Sequence, residues 1–99
     1  MQATVERGEQ LSRGLSALAE RFPEQCLGER GVGLLRALVL ADGLVARELL
    51  PIGRKHGLLL TAAGPSGLRF TPPLVVSEQQ IDEALERAAR ILAEVAGRD

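Results

Sequence analysis

The run Leu68-Arg69-Phe70-Thr71-Pro72-Pro73-Leu74 places one permanent cation in an otherwise apolar stretch. A guanidinium stays charged in proteins and presents a flat fork of donors that matches a carboxylate. Side chains of a strand alternate between faces, so Leu68 and Phe70 point one way and Arg69 and Thr71 the other. Neither proline can donate a ladder hydrogen bond, so pairing ends there or continues only at an edge. The pattern predicts a fixed cation at the end of a strand beside a rigid corner, a setting suited to holding a small carboxylate. By itself it reads more simply as a plain surface arginine, or as one paired with a structural carboxylate, because arginines are mostly exposed.

Other reactive groups are few. Arg30-Gly31-Val32-Gly33 resembles the start of a phosphate loop, but the dinucleotide fingerprint needs a third glycine three positions on. Arg36 stands there, and no helix start follows. Two glycines at a bend or bulge of a sheet account for the segment better. Lys55 is the only lysine and hence the only side-chain amine able to form a Schiff base. It lies in Arg54-Lys55-His56-Gly57, where cations complement a helix end. His56 is the only histidine and Cys26 the only cysteine. His56 therefore has no cysteine or second histidine to share a metal with, and no serine can build a triad elsewhere. Cys26 cannot form an internal disulfide and reads as a small, half-buried hydrophobe.

Periodicity predicts the elements that position these groups. A first helix spans about Thr4 to Arg21, with Leu11, Leu15, Leu18 and Phe22 on one stripe and Pro23 as its stop. Gly8 and Gly14 weaken it, each by about 1 kcal/mol against alanine. A short extended piece around Cys26 to Arg30 follows, then the apolar run Leu34 to Leu40, interrupted by Arg36, as a strand mostly buried on both faces. Asp42-Gly43 turns the chain. A second helix covers about Leu44 to His56, with a kink or split near Leu50 caused by Pro51, and Gly57 as its left-handed cap. Leu58 to Thr61 and Leu68 to Thr71 form a hairpin around Ala63-Gly64-Pro65-Ser66-Gly67. Ser77 and Gln80 make a capping box for a last helix, with Val76 and Ile81 as a hydrophobic staple. Glu9 with Arg13, Glu83 with Arg87 and Glu86 with Arg90 are spaced for ion pairs. The predicted fold class is α+β: a small, mostly antiparallel sheet with helices packed on it, in the order α-β-β-α-β-β-α.

Ninety-nine residues suit one domain, taken here as residues 1–99. A hydrophobic content of 45% supports one modest core. A net charge of −1 lacks the basic footprint of a nucleic-acid binder, and two phenylalanines offer no stacking platform. The N-terminal residues contain no long apolar run, so neither a signal peptide nor a membrane span is expected. With one cysteine, the chain fits a reducing cytoplasm.

Three segments in order carry a resemblance: Arg30-Gly31-Val32-Gly33-Leu34-Leu35, then Arg69-Phe70-Thr71-Pro72-Pro73-Leu74-Val75-Val76-Ser77, then Ile81-Asp82-Glu83-Ala84-Leu85. Together they resemble the C-terminal small domain of class III pyridoxal-phosphate aminotransferases, a fold-type I group, and most of all the acetylornithine and ornithine branch. The resemblance runs from about Val5 to about Val95. It implies that Arg69 faces the active site and anchors a substrate carboxylate, or pairs with a nearby acidic side chain when the other half-reaction needs it. It also implies a parent that moves the terminal amino group of N-acetylornithine to 2-oxoglutarate, in arginine biosynthesis, with pyridoxal phosphate as the electron sink. The Schiff-base lysine and most phosphate contacts would lie in a large domain outside these residues. On that reading the chain alone is inactive and binds no cofactor. Its partners are the large domain of the same polypeptide, the second subunit of a homodimer, and amino-acid and 2-oxo-acid substrates. Arg36, Ala37 and Val39 depart from the family pattern of an apolar residue, a glycine and an acidic residue. Two other classes stay open: a free-standing ligand-binding or regulatory module, and an interaction domain with no small ligand. A domain separated from its partner should expose the face that once met it.

Overall fold

A computed structural model describes residues 2–70 and 77–97. The order is α1 (Gln2–Arg21), β1 (Cys26–Val32), β2 (Leu35–Leu40), α2 (Ala46–Lys55), β3 (Leu60–Ala63), β4 (Gly67–Phe70) and α3 (Glu78–Ala96). The four strands form one antiparallel sheet ordered β1-β2-β4-β3. Both hairpins are local, and the β2–β4 pairing joins them across α2.

Residues directly opposite in an antiparallel pair share a face. Arg36 pairs with Phe70, Leu38 with Leu68, and Phe70 with Leu60, so these five point the same way. All but Arg36 are buried and pack with Leu11, Leu15 and Leu18 of α1, Leu49 and Ile52 of α2, and Ile81, Ile91 and Leu92 of α3. The three helices therefore cover one face of the sheet. Among the described residues no helix lies on the other face. The expectation that Leu34 to Leu40 is mostly buried on both faces holds except at Leu35: on the open face Ala37 is 6% exposed, whereas Leu35 is 66% exposed.

Local chemistry explains the ends of the elements. Gly33 is left-handed (φ 58°) and Leu34 is not, the pattern a two-residue hairpin needs when its first central residue is glycine. Gly33 thus opens a hairpin turn, Gly31 stays within β1 opposite Arg36, and the register irregularity lies earlier, between Cys26 and Gly28. α2 ends in a Schellman motif: Leu58 N–H donates to the Gly53 carbonyl at 2.8 Å and Gly57 N–H to the Arg54 carbonyl at 3.0 Å, with Gly57 at φ 77°. α2 is one unbroken helix with Pro51 inside, so the expected split is absent. Ala46, Leu49, Ile52 and Gly53 are buried along its inner side, and that packing holds the helix across the missing hydrogen bond.

α3 opens on the predicted capping box. Gln80 N–H donates to Ser77 Oγ at 3.0 Å, and Ser77 N–H donates to Gln80 Oε1 at 3.0 Å. Val76, and with it the predicted staple, lies outside the described residues. Gln10 Nε2 ties α1 to the start of α3, donating to the Glu78 carbonyl and to Asp82 Oδ1, each at 2.9 Å. The Glu9–Arg13 and Glu86–Arg90 pairs form. Arg87 instead turns to the end of α2 and donates to the Gly57 carbonyl at 2.8 Å. Gly8 has a packing role that helix propensity hides. A Cβ there would sit 2.8 Å from the Gly33 carbonyl oxygen, so glycine lets α1 rest on the β1–β2 turn.

Candidate functional site on the uncovered face of the sheet

Arg69 sits on β4, an interior strand, with Leu68 and Phe70 on either side buried at 1% and 3% exposure. Its own side chain points to the uncovered face and is exposed. The alternation read from the sequence holds for these three residues. Thr71, Pro72 and Pro73 lie outside the described residues, and β4 ends at Phe70.

The register sets the neighbours of Arg69 on its face. Ala37 of β2 lies directly opposite on one side and Thr61 of β3 on the other. Arg30 of β1 lies opposite Ala37. One row thus crosses all four strands: Arg30, Ala37, Arg69, Thr61. Ala37 is 6% exposed yet is not part of the helix-side core. The two arginines beside it have methylene stems long enough to shield its methyl. Around the row the face is apolar and open, with Val32 at 82% and Leu35 at 66% exposure. Leu59, just before β3, is 78% exposed.

The helix side treats its arginine differently. Arg36 Nη1 lies 3.5 Å from Glu29 Oε2, and both side chains are largely buried. Arg36 Nε donates to the Gly33 carbonyl at 2.8 Å and Nη1 to the Gly31 carbonyl at 3.0 Å. Ser12 Oγ donates to the other Glu29 oxygen at 2.7 Å. Arg36 thus fastens the hairpin turn and, through Glu29 and Ser12, ties it to α1. From the sequence, Arg36 stands out as an interruption of an apolar run and as a departure from two motif patterns, not as a structural anchor. The available signal was its parity with Leu38 and Leu40, which marks the helix-facing side.

The remaining candidates are structural. Lys55 Nζ lies 2.9 Å and His56 Nε2 3.0 Å from Glu94 Oε1, so the end of α2 is pinned to α3. Cys26 is 2% exposed, and burial pushes its thiol up to about 11, which leaves it a poor nucleophile at neutral pH. A cleft of about 410 Å³ between α1 and α3 is lined by Gly14, Leu18, Leu85 and Ala89, and lies on the helical layer away from Arg69. Among the described residues no three His, Cys, Asp or Glu side chains gather as a metal site requires. No helix among them is long and apolar enough to cross a membrane.

A three-helix layer on one face of an antiparallel sheet, with an exposed cation on the other face, defines an α+β domain with one covered and one open side. Residues 1–92 match the family of class III aminotransferases. The chain is 48% identical over 80 residues to an acetylornithine aminotransferase of Gloeobacter violaceus, covering 81% of this chain and 20% of that protein. It is 41% identical over 97 residues to one from a Nostoc species, covering 96% of this chain and 23% of that one. Its fold superposes on an N-acetylornithine aminotransferase of Stenotrophomonas maltophilia with a TM-score of 0.85, at 31% identity, over 97% of this chain and 27% of the other. The chain belongs to the class III aminotransferase family. It spans about a fifth to a quarter of the length of these relatives.

Enzymes of this family use pyridoxal phosphate. The described residues do not form a site for it. The single lysine is engaged with Glu94 on the helical layer, on the opposite side of the sheet from Arg69.

Proposed function

We propose that this chain is the C-terminal small domain of a pyridoxal-phosphate-dependent transaminase, whose parent reaction moves the terminal amino group of N-acetylornithine to 2-oxoglutarate. Arg69 is its substrate anchor. The observation that carries this reading is an exposed guanidinium, free of ion pairs to described residues, at the centre of an uncovered sheet face. It occurs in a chain 48% identical to an acetylornithine aminotransferase.

The chemistry follows from the fork. Two parallel N–H donors grip one carboxylate, which fixes both the position and the rotation of the substrate. Orienting one reactant in this way removes translational and rotational freedom before the reaction begins. Phe70 and Leu68 are buried behind Arg69, so its backbone is rigid and the anchor is pre-organised. The apolar rim of Val32, Leu35 and Leu59 meets the rest of the parent and keeps water from the site. The cofactor, its lysine and the partner subunit belong to the part of the parent that these residues do not span. The isolated chain is therefore inactive, and no step through the cofactor is assigned to it. The parent works in the cytoplasm as a homodimer.

A free-standing anion-binding module derived from the same domain rests on the same arginine, and one experiment separates the two. The whole reading frame that contains these residues is expressed and assayed for transfer of an amino group from N-acetylornithine to 2-oxoglutarate. The reading expects a polypeptide several times longer than this chain, active when whole and inactive as residues 1–99. A frame coding for these residues alone would contradict it.

A further inference from the structure

We infer that the free edge of β3 is a pairing site for a second copy of this chain, so that two copies join β3 to β3 in one continuous antiparallel sheet. This goes beyond the proposed function and does not depend on the role of Arg69.

The sheet has two outer strands, β1 and β3, and they are built differently. An outer strand presents a row of unpaired N–H and C=O groups, and proteins shield that row with charges, bulges and twist. β1 has these devices. Its register slips between Cys26 and Gly28, its middle holds Glu29 and Arg30, and Gly31 sits at φ 143°. β3 has none of them. It pairs with β4 without a register shift, and no residue from Gly57 to Leu68 carries a charge. No strand among the described residues covers its outer side. Ala62 lies opposite Leu68, on the helix side, yet is exposed, so the helices do not reach over this edge. Leu59, just before the strand, is 78% exposed.

The partner follows from geometry. Two identical strands running antiparallel about a twofold axis satisfy both edges with one self-complementary surface. That axis stands perpendicular to the sheet, so the helices of both copies lie on the same side. A pairing centred on Thr61 sets Leu60 against Ala62 of the second copy and Leu59 against its Ala63. Each exposed Leu59 then gains a cross-strand neighbour, and the small side chains of Ala62 and Ala63 leave room for it. The outer strands of the joined sheet are both β1, whose edge is shielded, so growth stops at two copies.

The test is sedimentation of the 99-residue chain over a dilution series, with amide hydrogen exchange followed by NMR. One short strand per copy buries less than the roughly 1,200 Å² of stable complexes, so the dimer is weak and forms at high concentration. The expected result is a shift from monomer to dimer as concentration rises, with slowed exchange at Leu60–Ala63 and none at β1. Ala62→Lys weakens association about fivefold, because it brings two like charges together near the axis. Mixing Ala62→Lys with Ala62→Glu restores it. Val32→Lys, on the exposed tip of the first hairpin, leaves it unchanged. Amide signals of the core report that each variant is folded. A chain that stays monomeric at millimolar concentration overturns the inference. So does association that Ala62→Lys leaves intact, or that Val32→Lys abolishes, or that grows past the dimer.

Discussion

The two faces of one sheet use arginine in opposite ways. On the helix side Arg36 is largely buried, facing Glu29 and donating to the Gly31 and Gly33 carbonyls. On the other side Arg30 and Arg69 stand exposed with no partner among the described residues, surrounded by Val32, Leu35 and Leu59. A charge that serves folding must find its partner inside the chain, because a buried unpaired charge is costly. A charge left unmatched on an apolar face is available to something else. The contrast separates a residue that holds this domain together from residues the described fold does not use.

That separation can be attacked from both sides. The largest effect is expected in the helix-side core. Leu38, fully buried in the helix-side core, should cost about 3 kcal/mol when changed to alanine. Leu35→Ala, three residues earlier on the open face, should stay within about 0.5 kcal/mol. Urea denaturation of the two variants measures the difference, and equal losses would erase the distinction between the faces.

Next is the Cys26 thiol. Folding favours its neutral form, so the native state keeps the proton up to about pH 11 while the unfolded chain releases it near 9. Between those values the native state binds more protons than the unfolded state, and stability falls as pH rises. Two units correspond to about 2 to 3 kcal/mol lost across that window. Cys26→Ala should flatten this alkaline decline, as read from melting temperatures at a series of pH values.

A smaller loss, about 1 to 2 kcal/mol, is expected for Arg36→Ala, which strands the Glu29 carboxylate in a largely buried position. Replacing both partners, Glu29→Leu with Arg36→Met, should recover most of it, because two apolar groups leave no charge behind. A double variant no better than the single one would mean that the contacts of Arg36 to the Gly31 and Gly33 carbonyls matter more than the ion pair. Smallest of all, Arg69→Gln should leave the stability of the 99-residue chain within about 0.5 kcal/mol, since no described residue depends on that guanidinium.

Much of this was legible from residue types alone. The capping box at Ser77 and Gln80, the left-handed Gly57 and the alternation of Leu68, Arg69 and Phe70 are local patterns, and local patterns survive without tertiary knowledge. The α+β class followed from the sequence of periodicities. Pro51 misled because propensity costs a helix about one bond, while packing on its inner face restores more. Gly8 and Gly14 looked like weaknesses of α1; Gly8 is where the β1–β2 turn comes closest to the helix. The Arg30–Ala37–Arg69–Thr61 row was hidden for another reason. It exists only once the register of three strand pairs is known, and register is set by hairpin turns and by which face meets the core.

The central claim is that Arg69 binds substrate and does not hold the fold. Its most direct test is the Michaelis constant for 2-oxoglutarate in the whole transaminase, wild type against Arg69→Lys, with the melting temperature measured alongside. A lysine keeps the charge but loses the bidentate fork. The account predicts a Michaelis constant raised about tenfold, the order expected for losing one charge-assisted hydrogen bond, with an unchanged melting temperature. A wild-type Michaelis constant, or a loss that simply follows a lower melting temperature, would contradict it.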